Sequence, residues 1–503
     1  MMPAAATTPV MTLGELMGAL APAELAVRPV ADMSLDSRRI VPGALFLAVP
    51  GTREHGLRHA AAAARAGAAL VAWEPADGVD APQLPEGCAA FAVPGLRGRL
   101  GVLADRFFGE PSRRLQVTGI TGTNGKTTCT HLVAAALDGL GRRAGLIGTL
   151  GSGPVGRLEA SGLTTPDVVE VHRRLASLAG QGIRAVAMEV SSHALDQGRV
   201  DGVRYAVAAF TNLSRDHLDY HLSLAAYGES KARLFLEHAP GVSVINAGDA
   251  FGRELLARLP ATARRIAVGR AAHLDASGEQ VLLDHVEALE GGLALQLAGR
   301  FGRLTLRSPL VGDFNAENLV LAFAILLALD VKPAEAAAAL GAVGAPAGRM
   351  ESFVDTARDV LTVVDYAHTP DALAKALAAL RRHCRGRLWC VFGCGGDRDR
   401  GKRPEMGRVV EQLADELVIT DDNPRTEDGG AIIAAILAGL AEPGRARVER
   451  DRAAAIGLAL AGARAGDVVL VAGKGHEAVQ IVGAEQRPFS DRQVVAALTG
   501  SAT

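Results

Sequence analysis

One lysine, several hydroxyls and three glycines stand where an apolar run gives way to a helical pattern: Gly119-Ile120-Thr121-Gly122-Thr123-Asn124-Gly125-Lys126-Thr127-Thr128. Glycines let backbone N–H groups wrap phosphate oxygens, and a helix N-terminus adds its dipole. In such a loop Lys126 reaches the outer phosphates of a nucleotide and the Thr127 hydroxyl is placed to ligate Mg²⁺. The usual spacing has a further glycine five residues before Gly125, and here that position is Ile120. Two other residues have types that suit a metal. Glu189 closes the run Ala185 to Met188, and His217 ends Asn212-Leu213-Ser214-Arg215-Asp216-His217. A carboxylate and a hydroxyl suit Mg²⁺, with imidazole a rarer partner. By spacing alone, such a His is more often a loop hydrogen-bonder than a ligand, and Glu189 reads also as a helix-start carboxylate.

A second set of polar residues follows apolar runs near the C-terminus. The runs are Val360 to Val364, Leu388 to Phe392, Glu416 to Thr420 and Val468 to Val471. After them come Asp365-Tyr366-Ala367-His368, Gly393-Cys394-Gly395-Gly396-Asp397-Arg398, Asp422-Asn423-Pro424-Arg425 and Gly473-Lys474-Gly475-His476-Glu477. Open α/β sheets bind ligands outside the carboxyl ends of their strands, so these loops are expected on one rim.

The elements that must position these residues alternate in the manner of an α/β protein with mostly parallel sheets. Leu115 to Ile120 reads as a strand, a helix starts near Thr127, and strands recur at Ile183 to Met188 and Tyr205 to Phe210. Earlier, Ala44 to Val49 reads as a strand, Ala60 to Ala66 as a helix and Pro75 to Pro85 as a break. A Gly, Ala and Pro cluster from Gly341 to Gly348 separates the last series. A length of 503 residues fits three domains. The expected division is 1–113, small and mixed; 114–345, a central phosphate-loop domain; and 346–503, a Rossmann-like C-terminal domain.

Composition limits the partners. The net charge of -2 supplies no general attraction for nucleic acid or anionic lipid, and 4% aromatic content is poor in stacking platforms. Of 53 basic residues outside histidine, six are lysines: Lys126, Lys231, Lys332, Lys375, Lys402 and Lys474. Five cysteines without paired spacing disfavour a disulfide framework or a zinc site, which fits a reducing cytoplasm. No Lys or Arg precedes Arg28, so the basic region of a secretory signal is missing. The longest apolar run, Leu319 to Leu329, is short of the roughly 20 residues that span a bilayer.

Several segments together resemble the Mur ligase family. The loop Gly122 to Thr128 is similar to that family's phosphate loop, which also lacks the extra glycine. Thr164-Thr165-Pro166-Asp167, Glu189-Val190-Ser191-Ser192-His193-Ala194-Leu195 and Phe210 through His221 resemble its muramoyl-dipeptide subgroup. The resemblance implies that Gly122, Thr123, Asn124, Gly125, Lys126, Thr127 and Thr128 bind ATP, joined by Asn315, Asn318, Arg349, Asp365 and His368. It implies that Thr127, Glu189 and His217 hold Mg²⁺ with Lys231, the latter as a carbamate. Catalytic roles fall to Lys126, Lys231, Glu189 and His217. Ser37, Thr164, Thr165, Ser191, Gln197 and Arg199 look like contacts to a UDP-muramoyl dipeptide. Arg398, Asp422, Asn423, Pro424, Arg425, Gly473 and Glu477 match positions that receive the incoming amino acid, and Asp422 to Arg425 is the version associated with diaminopimelate. Read without the resemblance, Asn315 and Asn318 cap the helix that holds the Leu319 run.

The implied activity is ATP-dependent addition of meso-diaminopimelate to the D-glutamate γ-carboxylate of UDP-N-acetylmuramoyl-L-alanyl-D-glutamate, by a cytoplasmic monomer. A ligase adding L-lysine to the same nucleotide, a folylpolyglutamate-type ligase and a phosphate-loop NTPase driving a partner are the rival readings. The last leaves the C-terminal strand ends idle.

Overall fold

The computed structural model describes residues 11–51, 54–274, 278–289 and 291–501. Residues 1–10, part of the stretch read above for a leader, lie outside that set. The chain divides into two compact units, one of residues 1–126, 137–245 and 249–265, the other of 127–136, 246–248 and 266–503.

In the first unit a four-stranded parallel sheet runs in the order Met33–Ser34, Leu45–Ala48, Leu70–Trp73, Ala89–Ala92. Side chains alternate across its pleat. Leu45, Leu47, Leu70 and Ala72 pack with Leu103, Phe107, Val168 and Val169. Phe46, Ala48, Val71 and Trp73 face the other way, onto Ala60 and Ala63. Both faces are covered, as parallel sheets require.

The same unit holds strands in the order Val242–Asn246, Val207–Phe210, Gln116–Thr121, Ala185–Glu189, Ala144–Gly148, Gly151–Pro154. All neighbours are parallel except the last pair. Glu189 stands beside Ile120, Phe210 beside Thr121 and Met188 beside Ile147. This register sets the phosphate loop, Thr149, Glu189 and Thr211 at one rim. The helix Lys126–Gly139 begins directly after the loop, one residue earlier than its apolar pattern suggests.

In the second unit Arg265–Gly269 pairs parallel to Glu279–Leu289, which continues antiparallel through Gly292–Gly299 and Gly302–Ser308. The sequence reading assigns no strand here, because outward polar residues and a bulge between Leu283 and His285 interrupt the apolar alternation. The helix Asp313–Ala328 starts after Gly312, whose position at the N-cap offers no side chain. Asn315 and Asn318 therefore lie inside the helix, which overturns the capping reading: Asn315 Nδ2 donates to the Val311 carbonyl (2.8 Å) and Asn318 Nδ2 to Asn315 Oδ1 (2.9 Å).

The C-terminal sheet runs Glu351–Asp355, Val360–Asp365, Val468–Ala472, Leu388–Phe392, Glu416–Ile419, Ala446–Val448, with only the first strand antiparallel. Leu388, Cys390 and Phe392 face one core layer, and Trp389 and Val391 the other. Below its rim lies a fully buried ion pair. Arg452 donates from Nε and one terminal nitrogen to the two Asp491 oxygens at 2.7 Å each, and to the carbonyl of Ala472 at 2.9 Å. The pair fastens the helix Asp491–Thr499 to the end of the strand Val468–Ala472. Replacing one partner strands a buried charge. Arg452→Met is expected to lower unfolding free energy by about 3–5 kcal/mol, read as a lower urea midpoint; a change below about 1 kcal/mol would show that the pair is dispensable.

Candidate active site

The phosphate loop has little apolar surface of its own and is held by the segment after Phe210. Thr123 N donates to the Asn212 carbonyl (2.8 Å), Asn124 N to Asn212 Oδ1 (3.0 Å), and Thr211 Oγ1 to the Asn124 carbonyl (2.6 Å). Gly122 has φ 149°, and a Cβ there would strike Thr211 Oγ1, so the close approach needs glycine. Lys126 Nζ folds back on its own loop, donating to the carbonyls of Gly122 (2.9 Å) and Thr123 (2.8 Å). Thr127 and Thr128 occupy the first turn of the following helix.

Lys231 meets Lys126 at the same acceptor. Its helix, Leu224–Leu236, is capped by Ser223 and buries the Lys231 side chain to 1% exposure. Nζ donates to the Gly122 carbonyl at 2.9 Å and sits 4.0 Å from the centre of the Tyr227 ring. Burial, then the nearby Lys126 charge, pushes the Lys231 ammonium well below its usual range, against a weaker pull from Asp216. A neutral amine is the form that can add carbon dioxide to become a carbamate.

Glu189 is 1% exposed at the last position of its strand. Oε1 accepts from Thr149 N (2.8 Å) and Oε2 from Thr149 Oγ1 (3.2 Å), while Thr149 Oγ1 lies 3.1 Å from Thr164 Oγ1. Thr165 Oγ1 donates to the Glu189 carbonyl (2.8 Å) and accepts from Ser191 N (3.1 Å). Arg199 reaches the Thr165 carbonyl (3.0 Å) and Gln197 Oε1 (2.9 Å from Nε), and Gln197 Nε2 donates to the Tyr220 hydroxyl (3.1 Å). Thus Thr164, Thr165, Glu189, Ser191, Gln197 and Arg199 form one connected network. Ser191 also caps the short helix Ser192–Asp196 through Ala194 N. Ser37 stands apart, in a turn capped by Asp36.

His217 adopts φ 52° and its ring lies edge-on to His193, with centroids 4.8 Å apart. Thr149 and Tyr227 join these side chains without a sequence signal, because only folding brings them beside the expected residues, whereas the sequence reading gives no role to His193 and Tyr220, which lie in segments quoted above. Among the described residues no three His, Cys, Asp or Glu side chains form a metal cluster. A Mg²⁺ shell needs oxygen donors besides the Glu189 carboxylate and the His217 ring nitrogen. The donor chemistry fits if Lys231 carries a carbamate and the Thr127 hydroxyl joins.

In the second unit, Asp365 ends its strand and accepts from Met350 N (2.8 Å) and Ala367 N (2.9 Å); burial pushes its carboxyl upward against those donors. The Arg349 guanidinium lies 4.6 Å over the Tyr366 ring, and its buried Nε has no hydrogen-bond partner among the described residues. The His368 ring Nδ1 is 2.7 Å from the Tyr366 carbonyl. Asn318 Oδ1 accepts from Cys129 Sγ (3.5 Å), so both asparagines are buried in a polar knot.

Asn423 and Glu477 meet at Lys474, which follows Gly473 in the chain, and Arg425 is tied to the hairpin whose first residue, Val479, Lys474 also contacts. Asn423 Nδ2 donates to Glu477 Oε2 (2.8 Å), and Gly396 N to the Asn423 carbonyl (2.9 Å). Arg425 has φ 53°, held by Arg425 N on the Ile481 carbonyl (3.0 Å) and Gly483 N on its own carbonyl (2.6 Å). Its guanidinium donates to the Gly396 carbonyl at 2.7 Å. A Cβ on Gly396 would strike the Pro424 carbonyl, and one on Gly473, at φ 120°, would meet Asp422 Oδ2. Arg398 is exposed. The sequence reading gives no role to Gly396, to Asp397, whose carboxylate accepts from Thr426 Oγ1 (2.7 Å) and Thr426 N (3.1 Å), or to the buried Arg403 paired with Glu427 (2.8 Å).

Family models match three stretches: Mur ligase family, catalytic domain, over 29–107; Mur ligase middle domain over 120–326; and Mur ligase, glutamate ligase domain, over 348–475. The chain belongs to the Mur ligase family. It is 49% identical over 93% of its length to a Xanthomonas oryzae pv. oryzae protein named UDP-N-acetylmuramoyl-L-alanyl-D-glutamate--2,6-diaminopimelate ligase, 93% of which is covered. A solved structure titled as that ligase shares 34% identity at TM-score 0.74, covering 98% of this chain and 99% of the other. A MurF ligase from Thermotoga maritima, solved with ADP, shares the fold at 18% identity and TM-score 0.56, covering 88% and 94%. Among the described residues no helix is long and apolar enough to cross a membrane.

The Lys231 geometry in this Mur ligase has a consequence for stability. Because burial lowers the Lys231 ammonium below the ordinary lysine value of 10.5, the buried amine costs the fold stability below that pH, and the cost shrinks as pH rises towards it. In carbonate-free buffer, Lys231→Met is expected to raise unfolding free energy by about 1 kcal/mol near pH 7, with the gain falling by pH 9. Urea titrations at both pH values check this; a variant weaker than the parent at each would overturn it.

Proposed function

We propose that this Mur ligase uses ATP to join meso-diaminopimelate to the γ-carboxylate of D-glutamate in UDP-N-acetylmuramoyl-L-alanyl-D-glutamate, as a monomer in cytoplasmic cell-wall precursor synthesis. In this reading residues 1–113 take the uridine end, 114–345 form the ATPase domain that binds ATP and transfers its γ-phosphoryl group, and 346–503 receive the amino acid. The observation that carries the substrate choice is the Asp422 to Arg425 loop: a guanidinium fixed at Gly396 stands on the same loop as the Asn423–Glu477 pair. An amino acid with a carboxylate beside an ammonium at its far end offers a partner of each sign to the Arg425 guanidinium and the Glu477 carboxylate.

A carboxylate is a poor acyl donor because its oxygen does not leave. Transfer of the γ-phosphoryl group from ATP to the substrate γ-carboxylate forms an acyl phosphate and ADP. The diaminopimelate amine then attacks the acyl carbon, and phosphate departs from the tetrahedral adduct as the amine sheds its proton. This chain's work is positioning and charge neutralisation. Lys126 leaves its loop carbonyls for the outer phosphates of ATP. Arg349, stacked on Tyr366 with an unpaired Nε, supplies a second cation. Asn315, Asn318, Asp365 and His368 hold the nucleotide. Thr164, Thr165, Ser191, Gln197 and Arg199 orient the dipeptide, with Ser37 at the uridine end. Mg²⁺, held by Thr127, Glu189, His217 and carbamylated Lys231, would neutralise phosphate charge.

Phosphate release with the muramoyl dipeptide is expected to depend on diaminopimelate and to be poor with L-lysine, whose far end carries only the cation. Lys126→Ala is expected to abolish turnover while leaving the circular-dichroism spectrum unchanged; near-normal turnover at saturating ATP would sink the ATP assignment. Arg425→Ala is expected to raise KM for diaminopimelate roughly 10- to 100-fold, the equivalent of ~1.5–3 kcal/mol for a charged hydrogen bond, with KM for ATP nearly constant. Equal use of lysine by the parent enzyme would overturn the diaminopimelate assignment and leave the ligase reading intact.

A further inference from the structure

Lys474 is a fully buried cation in the amino-acid loop region, and the reaction outlined above gives it no role. An ammonium has three N–H donors, and three acceptors surround this one: Asn423 Oδ1 at 3.0 Å, Glu477 Oε2 at 2.9 Å and the Val479 carbonyl at 2.8 Å. Each acceptor belongs to a different part of the site. Asn423 lies on the loop after the strand Glu416–Ile419, Glu477 follows the strand Val468–Ala472, and Val479 opens the hairpin Val479–Val482 with Glu485–Pro488.

The arrangement decides two orientations. Asn423 Oδ1 accepts from both Lys474 Nζ and Ile481 N (2.9 Å), so the amide must present its Nδ2 to Glu477. Glu477 Oε2 then accepts from Lys474 and Asn423 together. Its other oxygen, Oε1, takes no hydrogen bond from any described residue, on a side chain that keeps 30% of its surface exposed. The hairpin held by Val479 is also the one that fixes Arg425, through Ile481 and Gly483.

We infer that Lys474 is the positioning residue for amino-acid recognition: it anchors one oxygen of Glu477 so that the other faces the incoming ammonium, and it ties the Arg425 loop to the hairpin. This rests on the function proposed above. Without the ammonium, Ile481 N alone holds the Asn423 amide oxygen, Glu477 loses its charged partner, and the hairpin that fixes Arg425 loses its tie to the loop of Asn423.

The test uses the full chain with ATP and the muramoyl dipeptide. Lys474→Met is expected to raise KM for diaminopimelate about tenfold or more while KM for ATP stays within about twofold, because the lost contact orients a charged hydrogen bond to one substrate only. Glu477→Gln measured alone and combined with Lys474→Met forms a double-mutant cycle. If Lys474 acts through Glu477, the double variant is little worse than Glu477→Gln. Lys474→Gln, which keeps an N–H donor without the charge, replaces the methionine variant if that one does not fold. An unchanged diaminopimelate KM, equal losses in both substrates' KM, or effects that simply multiply across the cycle would overturn the inference. A parent enzyme that releases no phosphate in response to diaminopimelate would instead overturn the functional reading beneath it.

Discussion

Parallel pairing sets the carboxyl ends of neighbouring strands at one height, so a loop leaving any of them emerges beside the others. The chemistry of this protein depends on that constraint in both of its units. In the first, the strands ending at Thr121, Gly148, Glu189 and Phe210 deliver the phosphate loop, Thr149, the Glu189 carboxylate and Thr211 to one rim. In the second, those ending at Asp365, Phe392, Ile419 and Ala472 deliver Asp365, the Gly393 to Arg398 loop, the Asp422 to Arg425 loop and Gly473 to Glu477. The apolar layers beneath never touch the chemistry, but their register decides which residues can meet.

Two buried lysines illustrate opposite treatments of a desolvated cation. Lys231 has a carbonyl, an aromatic face and a second lysine for neighbours, with only a weaker pull from Asp216, so the environment favours the uncharged amine. Lys474 has a carboxylate, an amide oxygen and a carbonyl, which match the three donors of an ammonium. The first environment favours covalent change at nitrogen; the second favours rigidity. A buried charge is tolerated only when it is paired or given up.

Backbone conformation adds a further constraint. His217, Met350, Asp397 and Arg425 all have φ near +50°, which costs a residue with a Cβ about 1 kcal/mol or more. Each lies in or beside a loop that carries candidate site residues. At Arg425 the conformation is held by two backbone bonds to the hairpin, and at Asp397 by N–H donation to Glu427 at 2.6 Å together with the two Thr426 bonds. Such positions aim a side chain in a direction that ordinary loop geometry would not provide.

Much of this was legible before folding. The glycines around Lys126 and the apolar runs that end in polar loops are local properties, and they specify a strand, a loop and a helix wherever they occur. The antiparallel strands between Glu279 and Ser308 were not legible, since a half-exposed ribbon dilutes its own alternation. Nor was the interior position of Asn315 and Asn318, which depends on where Gly312 lets the helix begin. Sequence by itself, through the phosphate loop, the residue types and the family resemblance, nominated the candidate groups: Lys126, Glu189, His217, Lys231, Asn423, Arg425 and Glu477. Only the tertiary structure decided which of them share an acceptor or a partner. Lys231 lies 109 residues from Gly122 and Lys474 lies 51 from Asn423, separations that no local pattern spans and that only the packing of strands into a common sheet closes to hydrogen-bond distance.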